Sequence, residues 1–154
     1  MLRDKLTFGA LAGICSVFVM EVPEIILWKL NILPHPLFHL LGSLFMPVDT
    51  LHHMYLGELM GFVASKVYGA LLGVVFIYLL VFTGHRFFVA KGLIYGAAIW
   101  LLSYGGLASI PMVRLSVHQR MPLEILLIFF LHLLYGLTLG VFVRTFGREL
   151  GKDS

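Results

Sequence analysis

Charge is scarce in this chain: Asp, Glu, Lys and Arg make up 12% of its 154 residues. An average soluble domain carries about twice that share, so the composition excludes an ordinary water-soluble fold. Cysteine is scarcer still. The single Cys15 excludes an internal disulfide, and with no acid or histidine beside it on its own stretch it does not read as an activated nucleophile. There is no Gly-x-Ser-x-Gly elbow, no His-Glu-x-x-His pair, no phosphate-binding glycine loop and no nucleic-acid motif. The net charge of +3 comes from Lys and Arg near the ends of apolar runs, which is a pattern of membrane topology and not of nucleic-acid binding.

Apolar residues, in contrast, are abundant. They make up 60% of the chain, and mean hydropathy is +0.97. Long uncharged runs predict an all-α polytopic membrane protein, a four-helix bundle in a single integral membrane domain over residues 1–154. The expected spans are Leu6–Leu30, Tyr55–Phe82, Phe87–Ile110 and Leu123–Phe146. No small-x-small cleavage site closes the first run, so it is expected to be retained and not removed as a signal peptide. The apolar segment 37–46, framed by Pro36 and Pro47, is too short to span and predicts an interfacial or slightly re-entrant helix between the first two spans.

Orientation follows from the cations. Arg3, Lys5, Arg86, Lys91, Arg144, Arg148 and Lys152 fall on one side of the predicted spans, and only Lys29, Arg114 and Arg120 on the other. The positive-inside rule then predicts a plasma (inner) membrane protein with both termini cytoplasmic. Glu21, Glu24, Asp49, Glu58 and Glu124, with every histidine except His85, fall on the outer half. That half is chemically distinct.

Every predicted span also carries glycines four residues apart: Gly9 and Gly13; Gly57 and Gly61, then Gly69 and Gly73; Gly92 and Gly96; Gly136 and Gly140. Such glycines share one helix face and let another backbone approach closely, which matters where lipid supplies no hydrophobic force between helices. YGALLGVVF at 68–76 is echoed by YGLTLGVFV at 135–143, which suggests a 2+2 parallel repeat of two hairpins.

These features resemble the small four-helix membrane families represented by YqhR and YagU. GALAG from Gly9 is similar to their Gly-x-x-x-Gly first helix, EVP from Glu21 to their acid before a proline at its outer end, and GLIYG from Gly92 to their Gly-Leu-x-x-Gly third helix. The resemblance implies a four-helix fold and carries over no functional residue.

Three functional readings follow from the residues. Glu21 and Glu24 share a helix face near the far end of the first span, where Lys29, Arg114 or Arg120 could pair with them. With the histidines they form an outward-facing cluster suited to a binding or accessory protein, self-associating or part of a larger membrane complex. The residues favour this non-enzymatic role. The first alternative is a divalent-metal site or metal-dependent membrane enzyme drawing on Glu21, Glu24, His35, His39, Asp49, His52, His53 and Glu58, since carboxylate and imidazole together suit zinc, manganese or non-haem iron. Haem is a weaker candidate, because His132 has no second histidine at matching depth. The second alternative is an oligomeric proton or ion carrier using Glu58, Lys66, Glu124 and His132, with Glu58 and Lys66 in one polar seam that Tyr68, Tyr104 and Tyr135 extend. His132 is expected to bond a neighbouring helix at Ser65 or Ser103. The partners are the lipid bilayer and other membrane subunits, with no nucleic acid.

Overall fold

A computed structural model describes residues 4–46, 55–84, 86–106 and 122–147. The regular structure among them is helical: α1 (Lys5–Lys29), α2 (Leu37–Gly42), α3 (Tyr55–Thr83), α4 (Phe88–Leu101) and α5 (Pro122–Phe146). Three of these, α1, α3 and α5, are long and apolar enough to cross a membrane, and α4 is a shorter apolar helix. The α-helix expected as far as Ile110 stops at Leu101 and widens into a π-helical turn, Leu102–Gly106. Residues 105 and 106 are both glycine, the poorest helix former after proline, so the backbone there has little preference for tight α geometry. Residues 107–110 lie outside the described set, as do Asp49, His52, His53 and Arg114. The segment expected as a helix over 37–46 is helical only to Gly42, and turns at Ser43.

Helix α1 is bounded by local chemistry at both ends. The Asp4 carboxylate accepts the backbone N–H groups of Leu6 and Thr7, filling an N-cap role. Its bond from the Thr7 hydroxyl, aided by those backbone donors, holds the Asp4 carboxyl below the ordinary carboxylate range. Its capping contribution is therefore complete at neutral pH and is lost as acid brings pH down through that lowered value. At the other end Asn31 takes a left-handed conformation (φ 56°). It donates to the Trp28 carbonyl at 2.9 Å while Ile32 donates to the Leu27 carbonyl at 2.9 Å. These are the two bonds of a Schellman stop, and they turn the chain back so that Leu33, Pro36 and Leu37 are buried.

The side chains are arranged for a hydrocarbon solvent. The buried line of α3 is Gly57, Gly61, Ser65, Gly69 and Gly73 before it becomes apolar at Phe76, Ile77 and Leu80. Val63, Val67, Leu71 and Val75 of the same helix point outward, Leu71 with 61% of its surface exposed. In water that distribution would be inverted.

Glycine sets how the helices meet. A methyl group on Gly13 would strike the Gly69 carbonyl, and one on Gly73 would strike the Gly9 carbonyl, so α1 and α3 lie antiparallel with their backbones in contact. The same relation holds between α4 and α5, where Gly92 faces the Gly136 carbonyl and Gly96 the carbonyl of His132. Gly61 meets the Phe38 carbonyl of α2 in the same way. The two long pairs are then joined by side chains. Phe8 packs on Phe142 with ring centroids 5.7 Å apart. Tyr95 donates its hydroxyl to the Leu72 carbonyl at 2.7 Å, and Tyr135 donates to the Gly69 carbonyl at 3.3 Å.

Replacing Gly13 by Val is expected to force α1 from α3 and destabilise the bundle by about 2 kcal/mol or more, in the range of overpacked cores. Gly106→Ala, whose added carbon meets nothing within 4 Å, should leave stability unchanged. Thermal unfolding in detergent, followed by circular dichroism, measures both; equal melting temperatures for the two variants would contradict the backbone contact.

Candidate functional site

Glu21, Glu24, His39 and Ser65, four of the buried polar residues, gather where α1, α2 and α3 meet. Glu21, on the inward face of α1, is 2% exposed. One of its oxygens accepts the Ser65 hydroxyl at 2.6 Å, and the other forms an ion pair with the Lys66 ammonium. Ser65 takes a place in a ladder of glycines every four residues on α3, so it faces α1 on the same side as Gly69 and Gly73. That spacing was the available signal for Ser65 as a partner of Glu21. Lys66, one residue on, reaches the same carboxylate from the edge of the interface.

The ammonium is held on its remaining sides by aromatic rings. It lies 4.3 Å from the Phe18 centroid and 4.0 Å from that of Phe62, whose rings meet edge to face at 6.0 Å. Their negative faces replace part of the water the ammonium has lost. The pairing differs from the expected seam between Lys66 and Glu58. Those two residues are two turns apart on one helix, roughly 12 Å along its axis. Nor does Lys29 serve Glu21, since its ammonium sits 4.5 Å over the Trp28 ring.

Glu24, one turn beyond Glu21, serves the short helix. Its Oε1 accepts the backbone N–H of Leu37 at 2.9 Å, the first residue of α2. Pro36, at the N-cap, has no side-chain donor or acceptor, so a carboxylate thirteen residues earlier supplies the cap. The other oxygen of Glu24 is buried and has no hydrogen-bond partner among the described residues. Pro23 lies between the two acids and α1 continues through it as helix.

His39 of α2 is fully buried. Its ring meets Trp28 edge-on at 5.1 Å and Phe38 at 4.3 Å, with His35 at 6.1 Å. The two histidines are thus neighbours. Among the described residues, however, no three His, Cys, Asp or Glu side chains converge as a metal-binding group would. His52, His53 and Asp49 of that candidate set lie outside the described residues. Glu58 is half-buried in the first turn of α3, and Glu124 occupies the first turn of α5.

His132 is buried within α5 and its Nδ1 lies 2.9 Å from the carbonyl of Ile128 on the same helix. Of the two serines expected as its partners on other helices, Ser65 bonds Glu21 and Ser103 lies 3.2 Å from the Tyr68 hydroxyl. Tyr135, expected to extend the seam, instead bonds a backbone carbonyl. Cys15 faces outward from α1.

Fold and composition together define an all-helical protein of membrane type, with a buried ion pair and a carboxylate-capped loop helix in its interior. No family model, curated protein or solved structure matches the chain.

Breaking the ion pair from one side should be costly. Lys66→Met leaves the Glu21 carboxylate buried without its counter-charge and is expected to lose about 3 kcal/mol of stability. The double variant Glu21→Leu with Lys66→Met removes both charges and should regain most of it. Unfolding of the three proteins in the same detergent decides the matter: a single variant as stable as the double would mean that the pair carries no energetic coupling.

Proposed function

We propose that this chain is a small integral membrane binding or accessory protein, self-associating or held in a larger membrane complex, whose acid and histidine end is its docking surface. The observation that carries the reading is what the buried acids are attached to. Glu21 is taken up by Lys66 and Ser65, and one oxygen of Glu24 by the start of α2. They act as fasteners that hold a short helix and its loop rigidly across the end of the bundle, which is what a recognition surface requires. A catalytic acid or a metal-binding carboxylate would instead face the reacting group.

In this reading the chain crosses the plasma membrane four times, with α4 and the residues after it as the third crossing and both termini inside. The paired glycine contacts support a 2+2 arrangement, for α1 with α3 and α4 with α5 meet through glycines at matching positions. The likeness of the motifs beginning at Gly9, Glu21 and Gly92 to the YqhR and YagU families points to the same architecture.

Extraction from the native membrane in mild detergent tests the proposal. The expected result is a homo-oligomer of defined mass or a reproducible partner, weakened when Glu24→Ala frees the start of α2. A stable monomer with an activity of its own would overturn it.

The carrier alternative draws support from one observation, the Glu24 oxygen that has no partner among the described residues, beside the Glu21 and Lys66 pair. Ionisable groups at such depth mark ion paths in many membrane proteins. Reconstituted liposomes separate the two readings. An accessory protein leaves them tight to protons, whereas a flux abolished by Glu24→Gln would assign the cluster to transport.

A further inference from the structure

The opposite end of the bundle has a different chemistry. Antiparallel packing brings together the start of α1, the end of α3, the start of α4 and the end of α5. Lys5, Arg86, Lys91 and Arg144 are all there, and Asp4 is the one acid among the described residues at that end. Asp4 is occupied by the cap of α1, and Lys91 by the carbonyls of Thr83 at 2.8 Å and Gly84 at 2.6 Å, which close the end of α3. Arg144 is exposed on the last turn of α5 and has no ion-pair partner among the described residues.

Arg144 lines a cavity of about 440 Å³ between the start of α4 and the end of α5. The other lining residues are Phe87, Phe88, Val89, Ala90 and Leu93, all apolar. Phe87 holds a left-handed backbone conformation (φ 58°, ψ 42°) that is uncommon for a bulky side chain, and the residue is 78% exposed beside that cavity. The cavity therefore offers one cation, unpaired among the described residues, on an apolar wall, at the level where the apolar helices end.

A soluble anion would satisfy the cation and gain nothing from the wall. A plain hydrocarbon would fill the wall and leave the cation unmatched. An amphiphile with a phosphate next to an acyl chain uses both, and the surplus of cations around it disfavours a headgroup that carries its own ammonium. We propose that this cavity seats one anionic phospholipid, its phosphate on Arg144 and an acyl chain along Leu93 and Phe88. The inference rests on the membrane placement of the helices and is independent of the docking role proposed for the other end.

Native mass spectrometry of the full chain in detergent tests it, with phosphatidylglycerol and phosphatidylcholine of identical chains as the probes. The wild-type protein should retain phosphatidylglycerol with about fivefold preference, the scale of one basic side chain acting on an anionic lipid. Arg144→Gln should abolish the preference with the melting temperature unchanged, because that side chain is exposed. Ala90→Phe, which fills the cavity without altering charge, should lower retention of both lipids. Lys5→Gln removes a charge at the same end but away from the cavity, and should keep the preference. Equal retention of the two lipids by wild type, a preference that survives Arg144→Gln, or a loss as large in Lys5→Gln would each overturn the site.

Discussion

Backbone meets backbone at the crossings of α1 with α3 and of α4 with α5, and the rest of the structure depends on that closeness. Hydrocarbon solvates an apolar side chain as well as another protein does, so the helices cannot be driven together by burying leucine. They associate through surface that only a bare backbone presents, with Gly13 against the Gly69 carbonyl and Gly92 against that of Gly136. Side chains that could not otherwise reach one another then come into range. The Glu21 carboxylate spans to Ser65 and Lys66, and the Tyr135 hydroxyl finds the Gly69 carbonyl from a different helix pair. Those polar bonds in turn discourage the helices from sliding, because a shift of one turn would strand each buried group without its partner.

The two ends of the bundle differ in the placement of charge. At one end Glu21 and Glu24 are buried and bonded within the bundle, and they help to hold α2 in a pocket formed by Gly61 and the return of the chain at Asn31. At the other end Arg86 and Arg144 are exposed, and Asp4, the acid among the described residues there, is occupied by the cap of α1. A buried ion pair is seldom the most stabilising choice for an interior, since desolvation offsets much of the attraction. Its presence here fits a requirement for one register and one position of α2 more readily than a requirement for stability.

Much of the architecture can be read without coordinates, because it depends on properties local to a few turns. Apolar length predicts α1, α3 and α5 to within a residue or so at each end, and four-residue spacing places the glycines on a common face. The separation of acids and histidines from most cations also follows from position along the runs. The end of α4 was less legible, since length and hydropathy do not distinguish an α-helix from the wider turn that begins at Leu102.

The chain by itself therefore determined the helical class, the bounds of its long helices, the small-residue faces and the sorting of charge, all of which follow from residue type and spacing along one helix. Only the tertiary structure decided which charges meet. Lys66 has Glu58 two turns away on its own helix and Glu21 on another, and the second wins because the glycine contact brings α1 within reach. Glu24 caps a helix thirteen residues later, and the Nδ1 of His132 meets a carbonyl of its own helix. Such choices depend on how each helix is rotated about its axis and how far it is shifted along its neighbour. Those two quantities are set by contacts between distant segments and are not written in the spacing of any one of them.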